Sequence, residues 1–214
     1  GWFGRFITVK KEDEPDFEGY LNLKHTATLP LVEAMRLLAL REGVVEIGTL
    51  DRMQALQDNA PMRTAIRQAI ENDLPTYAEC GGLMYLARSL TWQGETRQMA
   101  GVIPGDIIMH TAPQGRGYVR LQETDAQLWP EESESSTEIP AHEFHYSSLE
   151  NLGTDVTYAY DVLRGHGIDG THDGSIKHNL VAGFAHLRDK DSCGWAGPFV
   201  AFVGQCGCAG GMGR

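Results

Sequence analysis

The stretch best suited to chemistry is Tyr77-Ala78-Glu79-Cys80-Gly81-Gly82-Leu83-Met84-Tyr85-Leu86. Leu74 to Ala78 reads as a short strand, and Leu83, Met84, Leu86, Ala87 and Leu90 recur at helical spacing. Cys80 therefore falls on a strand-to-helix turn. Such a turn pushes a nucleophile into a strained, exposed conformation, and small neighbours let it close. The helix N-terminus adds positive dipole and free N–H groups, which favour a thiolate and bind the oxyanion formed when it attacks an amide. Gly81 N–H is the natural oxyanion donor. The competing reading is an inert buried thiol, since free cysteine is among the most buried residue types; the paired glycines favour the reactive one.

Other polar residues are less decisive. Glu143 and His145, at i and i+2, share one face of a strand and fit either a supporting role or a metal pair, although no third ligand lies near them in sequence. His166, His172 and Asp173 fall in a Gly-rich stretch that suits either function or plain turn chemistry. The remaining cysteines, 193, 206 and 208, show no C-x-x-C spacing, and Cys206-Gly207-Cys208 alone makes a poor zinc site. No metal ligand set is expected.

The elements that must position these residues alternate between helix and strand. Leu31, Ala34, Met35 and Leu38 lie on one helical face, with Gly43 as C-cap, and Val44 to Ile47 reads as a buried strand. Met62, Ala65, Ile66, Ala69 and Ile70 predict a helix with Pro61 in its first turn. Beyond Gly94 the chain becomes strand-like, at Met99 to Ile108, Gly117 to Leu121, His142 to Ser147 and Thr157 to Leu163. Glu131 to Glu138 is an acidic, Ser-rich solvated loop, and Trp195 to Val203 predicts a last helix opening at Pro198, ahead of a Gly-rich tail. The expected fold is α/β, a mainly parallel sheet flanked by helices with antiparallel strands added in the second half. Expected boundaries are an N-terminal segment 1–43, a main domain 44–206 and a tail 207–214.

Composition narrows the partners. A chain of 214 residues with 42% hydrophobic and 22% charged residues suits an ordinary globular domain. A net charge of -11 argues against a nucleic-acid or anionic-membrane surface, which needs clustered Lys and Arg. No membrane-spanning apolar run or signal-peptide pattern occurs, so a cytoplasmic location is expected.

Three ordered blocks carry a resemblance. Ala78 to Leu86 is similar, almost letter for letter, to the nucleophile segment of the cobyrinate a,c-diamide synthase family; His142-Glu143-Phe144-His145-Tyr146-Ser147 and Met99-Ala100-Gly101-Val102-Ile103-Pro104-Gly105 resemble two further blocks. Gln114-Gly115-Arg116-Gly117-Tyr118-Val119 and Arg164 to Gly170 look most like the siroheme amidase branch. The resemblance implies a class I glutamine amidotransferase fold, and glutamine hydrolysis that feeds ammonia to ATP-dependent amidation of tetrapyrrole acetate side chains. It implies Cys80 as nucleophile and, from Ala182-Gly183-Phe184-Ala185-His186-Leu187-Arg188, His186 as the proton-shuttling base. Many class I amidotransferases place Glu two residues after this histidine; here that residue is Arg188, so the third member is open. Glu79, Glu143, His145, Arg116 and Tyr118 are candidates for supporting or substrate-binding roles.

Two departures stand out. No G-x-x-x-x-G-K-[ST] phosphate loop occurs, so no cofactor is expected on this domain; ATP and Mg are expected on a missing or separate N-terminal domain or subunit. Where relatives carry a Gly-Gly-aromatic-Pro-Glu loop that completes the oxyanion hole, this chain reads Glu46-Ile47-Gly48-Thr49-Leu50-Asp51-Arg52, leaving Gly48 as candidate. Losing one such donor costs about 10²- to 10³-fold in rate. An impaired pseudo-amidotransferase that binds a tetrapyrrole or an ATP-binding partner is therefore the alternative function. Expected partners are glutamine, a tetrapyrrole carboxylate, the synthetase domain and a homodimer mate.

Overall fold

The recurrence of Met62, Ala65, Ile66, Ala69 and Ile70 produces helix α1, Ala60–Glu71, in the computed structural model of the protein, which describes residues 54, 57–129, 138–188 and 195–209. Asn59 caps it by accepting from Met62 N–H at 3.1 Å, and Pro61 sits in the first turn, where a missing N–H is no loss. The chain divides into two units, Gly1–Asp58 and Asn59–Arg214. The elements described here belong to the second. The expected helix and strand between Leu31 and Ile47, Gly48, Cys193 and loop residues 131–137 lie outside the described residues.

After α1 come β1 (Thr76–Glu79) and α2 (Gly81–Leu86). The helix expected to reach Leu90 stops after six residues. Ala87 is extended, and β2 (Ala87–Trp92) follows without a loop, pairing with β3 (Glu95–Gln98) and β4 (Ile103–Met109). Over so short a window Ala87 and Leu90 satisfy either period. Here cross-strand partners outweigh helix propensity, with both residues fully buried in the sheet.

The rest of the unit is β5 (Gly115–Glu123), β6 (Ile139–His145), β7 (Ser147–Glu150), β8 (Thr157–Arg164), β9 (His172–Lys177), β10 (Leu180–Gly183), β11 (His186–Leu187) and α3 (Ala196–Ala209). The strand expected over His142 to Ser147 breaks at Tyr146, where the chain passes from one sheet to the other. The small sheet runs β3-β2-β4-β7 and the large one β1-β10-β9-β8-β5-β6-β11. Among the described residues only β1 with β10 and β2 with β4 pair in parallel. The expectation of a mainly parallel sheet is thus corrected for the described part, because the second-half strands are joined by tight antiparallel connections rather than by helices.

The large sheet steps from β10 through β9, β8, β5 and β6 to β11, and only two residues separate the end of β10 from the start of β11. Val119, Leu121, Ile139, Ala141, Ala159, Val181 and Ala185 pack into one buried cluster with Trp129 and Tyr160. Helix α3 begins two residues before the expected Pro198 and runs through Gly204 and Gly207. Phe199 and Phe202 pack against that core and offset the cost of about 1 kcal/mol that each mid-helix glycine carries.

Candidate functional site

Where β1 meets α2, Cys80 has φ 46 and ψ -100, a positive φ that a residue with a side chain adopts only under local constraint. The constraint is visible on both sides. Cys80 N–H donates to Gly183 C=O at 2.8 Å, pinning the turn to the end of β10, and Cys80 C=O accepts from Met84 N–H at 3.0 Å. A Cβ on Gly82 would lie 3.1 Å from Ala78 Cβ, a tight approach that glycine relieves; one on Gly81 would meet nothing within 4 Å. The N–H groups of Gly81 and Gly82 open α2 and have no acceptor inside the helix, as the chemistry of an oxyanion site requires.

His186 arrives from β11. Its Nδ1 lies 3.2 Å from Glu79 Oε2, and its ring interacts with Cys80, the largest influence on the imidazole. A carboxylate only accepts, so Nδ1 carries a proton toward Glu79 and the other ring nitrogen is left to the thiol. Contact with Cys80 and then the hydrogen bond to Glu79 outweigh partial burial and raise the imidazole to about 10. At neutral pH the ring is thus an imidazolium facing Cys80. Glu79 Oε1 is held by Leu187 N–H and by Tyr77 O–H, each at 2.9 Å. Burial and the neighbouring Glu79 charge push the Tyr77 phenol well above its ordinary value, so it remains a donor. Trp195 and Trp129 pack on its ring, with centroids 4.6 and 6.2 Å away.

A row of side chains extends outward from this centre. Tyr118 on β5 is in register with His142 on β6, and His142 with His186. The two imidazoles stack at 4.9 Å and 18°; burial, then the charges of His186 and Arg188, lower His142, which keeps it neutral beside its charged neighbour. Tyr118 is 69% exposed, and the Arg188 guanidinium lies 5.4 Å from its ring centroid. Arg116, opposite Phe144 in the register, is exposed on the same sheet.

Of the residues singled out from sequence, the structure brings together Cys80, Gly81, Glu79 and His186, with Tyr118 one strand beyond His142. Glu143 and His145 do not join them. They share a face, as their spacing requires, but it is the inner one: β6 buries Glu143 and His145 and turns His142 and Phe144 outward. Glu143 accepts from His166 N–H at 2.7 Å and Gly167 N–H at 3.0 Å and pairs with His145 Nε2 at 3.6 Å. Burial pushes its carboxyl up, but contact with His145 and the two amides outweigh this and hold it below the ordinary range. Asp173 is no turn residue either. It lies buried in β9, whereas His172 beside it is partly exposed, stacked on Tyr158 and bonded to Asp169 at 2.8 Å.

Sequence reasoning missed Tyr77 and His142, and left the imidazole's partner open. Tyr77 and Glu79 are i and i+2 on one strand, so their shared face was available to it. The approach of Glu79 to His186, across 107 residues, was not. Among the described residues no group of three or more His, Cys, Asp or Glu side chains is arranged to hold a metal ion, and no helix is long and apolar enough to cross a membrane.

With this geometry in place, comparisons with known proteins give a family. The family model for the CobB/CobQ-like glutamine amidotransferase domain matches residues 47–191. A second, putative nucleotidyltransferase substrate binding domain, matches residues 1–78 and overlaps it. A protein named cobyrinate a,c-diamide synthase from Magnetococcus marinus is 45% identical over 70% of this chain and 31% of its own length. One of the same name from Haloarcula marismortui is 42% identical over 67% of this chain and 29% of its own length. Among solved structures, a glutamine amidotransferase from Thermotoga maritima aligns at 12% identity with TM-score 0.41, covering 61% of this chain and 49% of that one. The chain thus spans about a third of the length of the curated relatives it matches.

Proposed function

Because the chain belongs to the family of CobB/CobQ-like glutamine amidotransferase domains, we propose that its Cys80, His186 and Glu79 hydrolyse glutamine to supply ammonia for amidating carboxylate side chains of a tetrapyrrole. The observation that carries this reading is the approach of His186 to both Cys80 and Glu79 at a strained turn beside open helix amides.

The chemistry follows from these groups. The Cys80 thiolate adds to the side-chain carboxamide carbon of glutamine, and the negative charge that develops on oxygen is met by the Gly81 and Gly82 N–H groups. Imidazolium His186 gives its proton to the departing nitrogen as the C–N bond breaks, so ammonia leaves and a thioester remains. Neutral His186 then takes a proton from water, whose oxygen attacks the thioester. The C–S bond breaks, glutamate leaves with its acid proton lost to solvent, and the Cys80 thiolate beside imidazolium His186 is restored. Glu79 holds the ring and steadies its charge in both halves, a task that the residue two places after the histidine, Arg188, is chemically unable to perform.

The ammonia acceptor is read from relatives named for cobyrinate a,c-diamide synthesis. A cobyrinate-type macrocycle carrying acetate carboxylates is the acceptor we favour, with siroheme or sirohydrochlorin as the narrower possibility raised by Gln114 to Val119. Activation by ATP and Mg is assigned to a partner domain outside this chain. The direct test is glutamine-dependent ammonia release by this chain with and without an ATP-binding partner domain. Loss in Cys80→Ala of at least about 10³-fold is expected, together with covalent trapping of Cys80 by a glutamine-like electrophile. Tetrapyrrole binding with no Cys80-dependent ammonia release under either condition favours the pseudo-amidotransferase instead.

A further inference from the structure

His186 meets Cys80 because the chain bends between β10 and β11, and that bend consists of Phe184 and Ala185. One side chain takes both of their amides. Phe184 N–H donates to Asp173 Oδ1 at 3.0 Å and Ala185 N–H to Asp173 Oδ2 at 2.8 Å. Asp173 lies on β9, the neighbour of β10, and is 1% exposed. A buried carboxylate that accepts from two successive peptides fixes both of their planes, since turning either breaks a bond that no water replaces.

Two further contacts close the clamp. The Phe184 ring, itself fully buried, lies flat on His145, with centroids 4.0 Å apart and planes 5° apart. A Cβ on Gly183 would lie 2.8 to 2.9 Å from the Asp173 carboxyl atoms, so the residue that enters the bend has no room for a side chain. Burial raises the Asp173 carboxyl to about 6 against the pull of these amides, so an ionised group is kept here at a cost at neutral pH. Gly183 also accepts the Cys80 N–H through its C=O. The same few residues therefore set the position of both the thiol and the imidazole.

We infer that Asp173 is a positioning residue: its carboxylate holds the Phe184–Ala185 bend that presents the His186 imidazole to Cys80 and Glu79. The inference rests on the glutaminase reading for what the Cys80–His186 pair does, but not for the pairing itself. It is tested on the full chain with Asp173→Asn, which keeps the volume but offers one acceptor in place of two, and with Gly183→Ala, which pushes the carboxylate off the amides.

The pairing is read without glutamine, from the pH dependence of Cys80 alkylation by iodoacetamide, located by peptide mass mapping so that the other three cysteines do not contribute. Both variants are expected to lose reactivity at pH 6.5 by about 10-fold, toward the profile of His186→Ala, because a thiolate without its imidazolium is less populated. In glutamine hydrolysis kcat is expected to fall by about 10-fold or more with KM within about 3-fold. Should Asp173→Asn not fold, Gly183→Ala decides. Folded variants with the parent's Cys80 alkylation profile overturn the inference. A changed profile in a chain whose parent form also releases no ammonia upholds the positioning role and overturns the glutaminase reading.

Discussion

Two acid–imidazole pairs lie in the same sheet and do opposite things. Glu79 and His186 are 3.2 Å apart with side chains 26% and 32% exposed, whereas Glu143 and His145 are 3.6 Å apart with 3% and 1% exposed. What differs is the company each keeps. His186 has a thiol beyond it and open surface beside it; Glu143 is occupied by two loop amides, and His145 lies flat on Phe184. Identical residue types therefore take, in the reading proposed above, a catalytic setting where a thiol and access are supplied, and an anchoring one where backbone donors consume them.

That division can be broken by experiment. His186→Ala is expected to lower glutamine turnover by about 10²- to 10⁴-fold, the usual contribution of a positioned proton carrier. Next in size, Glu143→Ala strands two buried amides and His145, which amounts to about 2 to 4 kcal/mol of stability in a urea titration. If that variant instead stays stable while Cys80 chemistry alone is lost, the two pairs are not separate in role. Glu79→Gln keeps the shape but removes the charge. A fall of about 10-fold in kcat at unchanged KM is expected, with the alkaline limb of the pH profile moved to lower pH because the imidazolium loses its neighbour. Unchanged kcat and limb would leave Glu79 a bystander.

The smallest effect concerns pH and stability. His186 is raised from 6.5 to about 10 in the folded chain, so its protonated form favours the fold. That contribution is fully present below about pH 6.5 and is lost as pH rises through about 10. The parent should therefore lose Tm between pH 7 and 10 more steeply than His186→Gln; equal slopes would place the imidazole's partners elsewhere.

Legibility in the sequence followed range. The Cys80 turn was readable because its causes are local: an apolar strand, a cysteine and two glycines within a few residues, the second of which relieves a close approach to Ala78. Helix α1 was readable from period and cap. The end of α2 was not, since Ala87 and Leu90 fit both periods and only pairing with β3 and β4 decides between them. The shared face of Glu143 and His145 was correct by alternation, but which face points inward depends on the curl of the whole sheet.

By itself, then, the sequence determined the thiol at its bend, the alternation that groups residues onto strand faces, and the family to which these blocks belong. The tertiary structure alone decided that Glu79 meets His186, that His142 stacks outside it, and that Asp173 holds the bend from within. The reason is physical. Hydrogen bonds between residues more than a hundred positions apart depend on which strands become neighbours, and that is settled by the burial of the whole core.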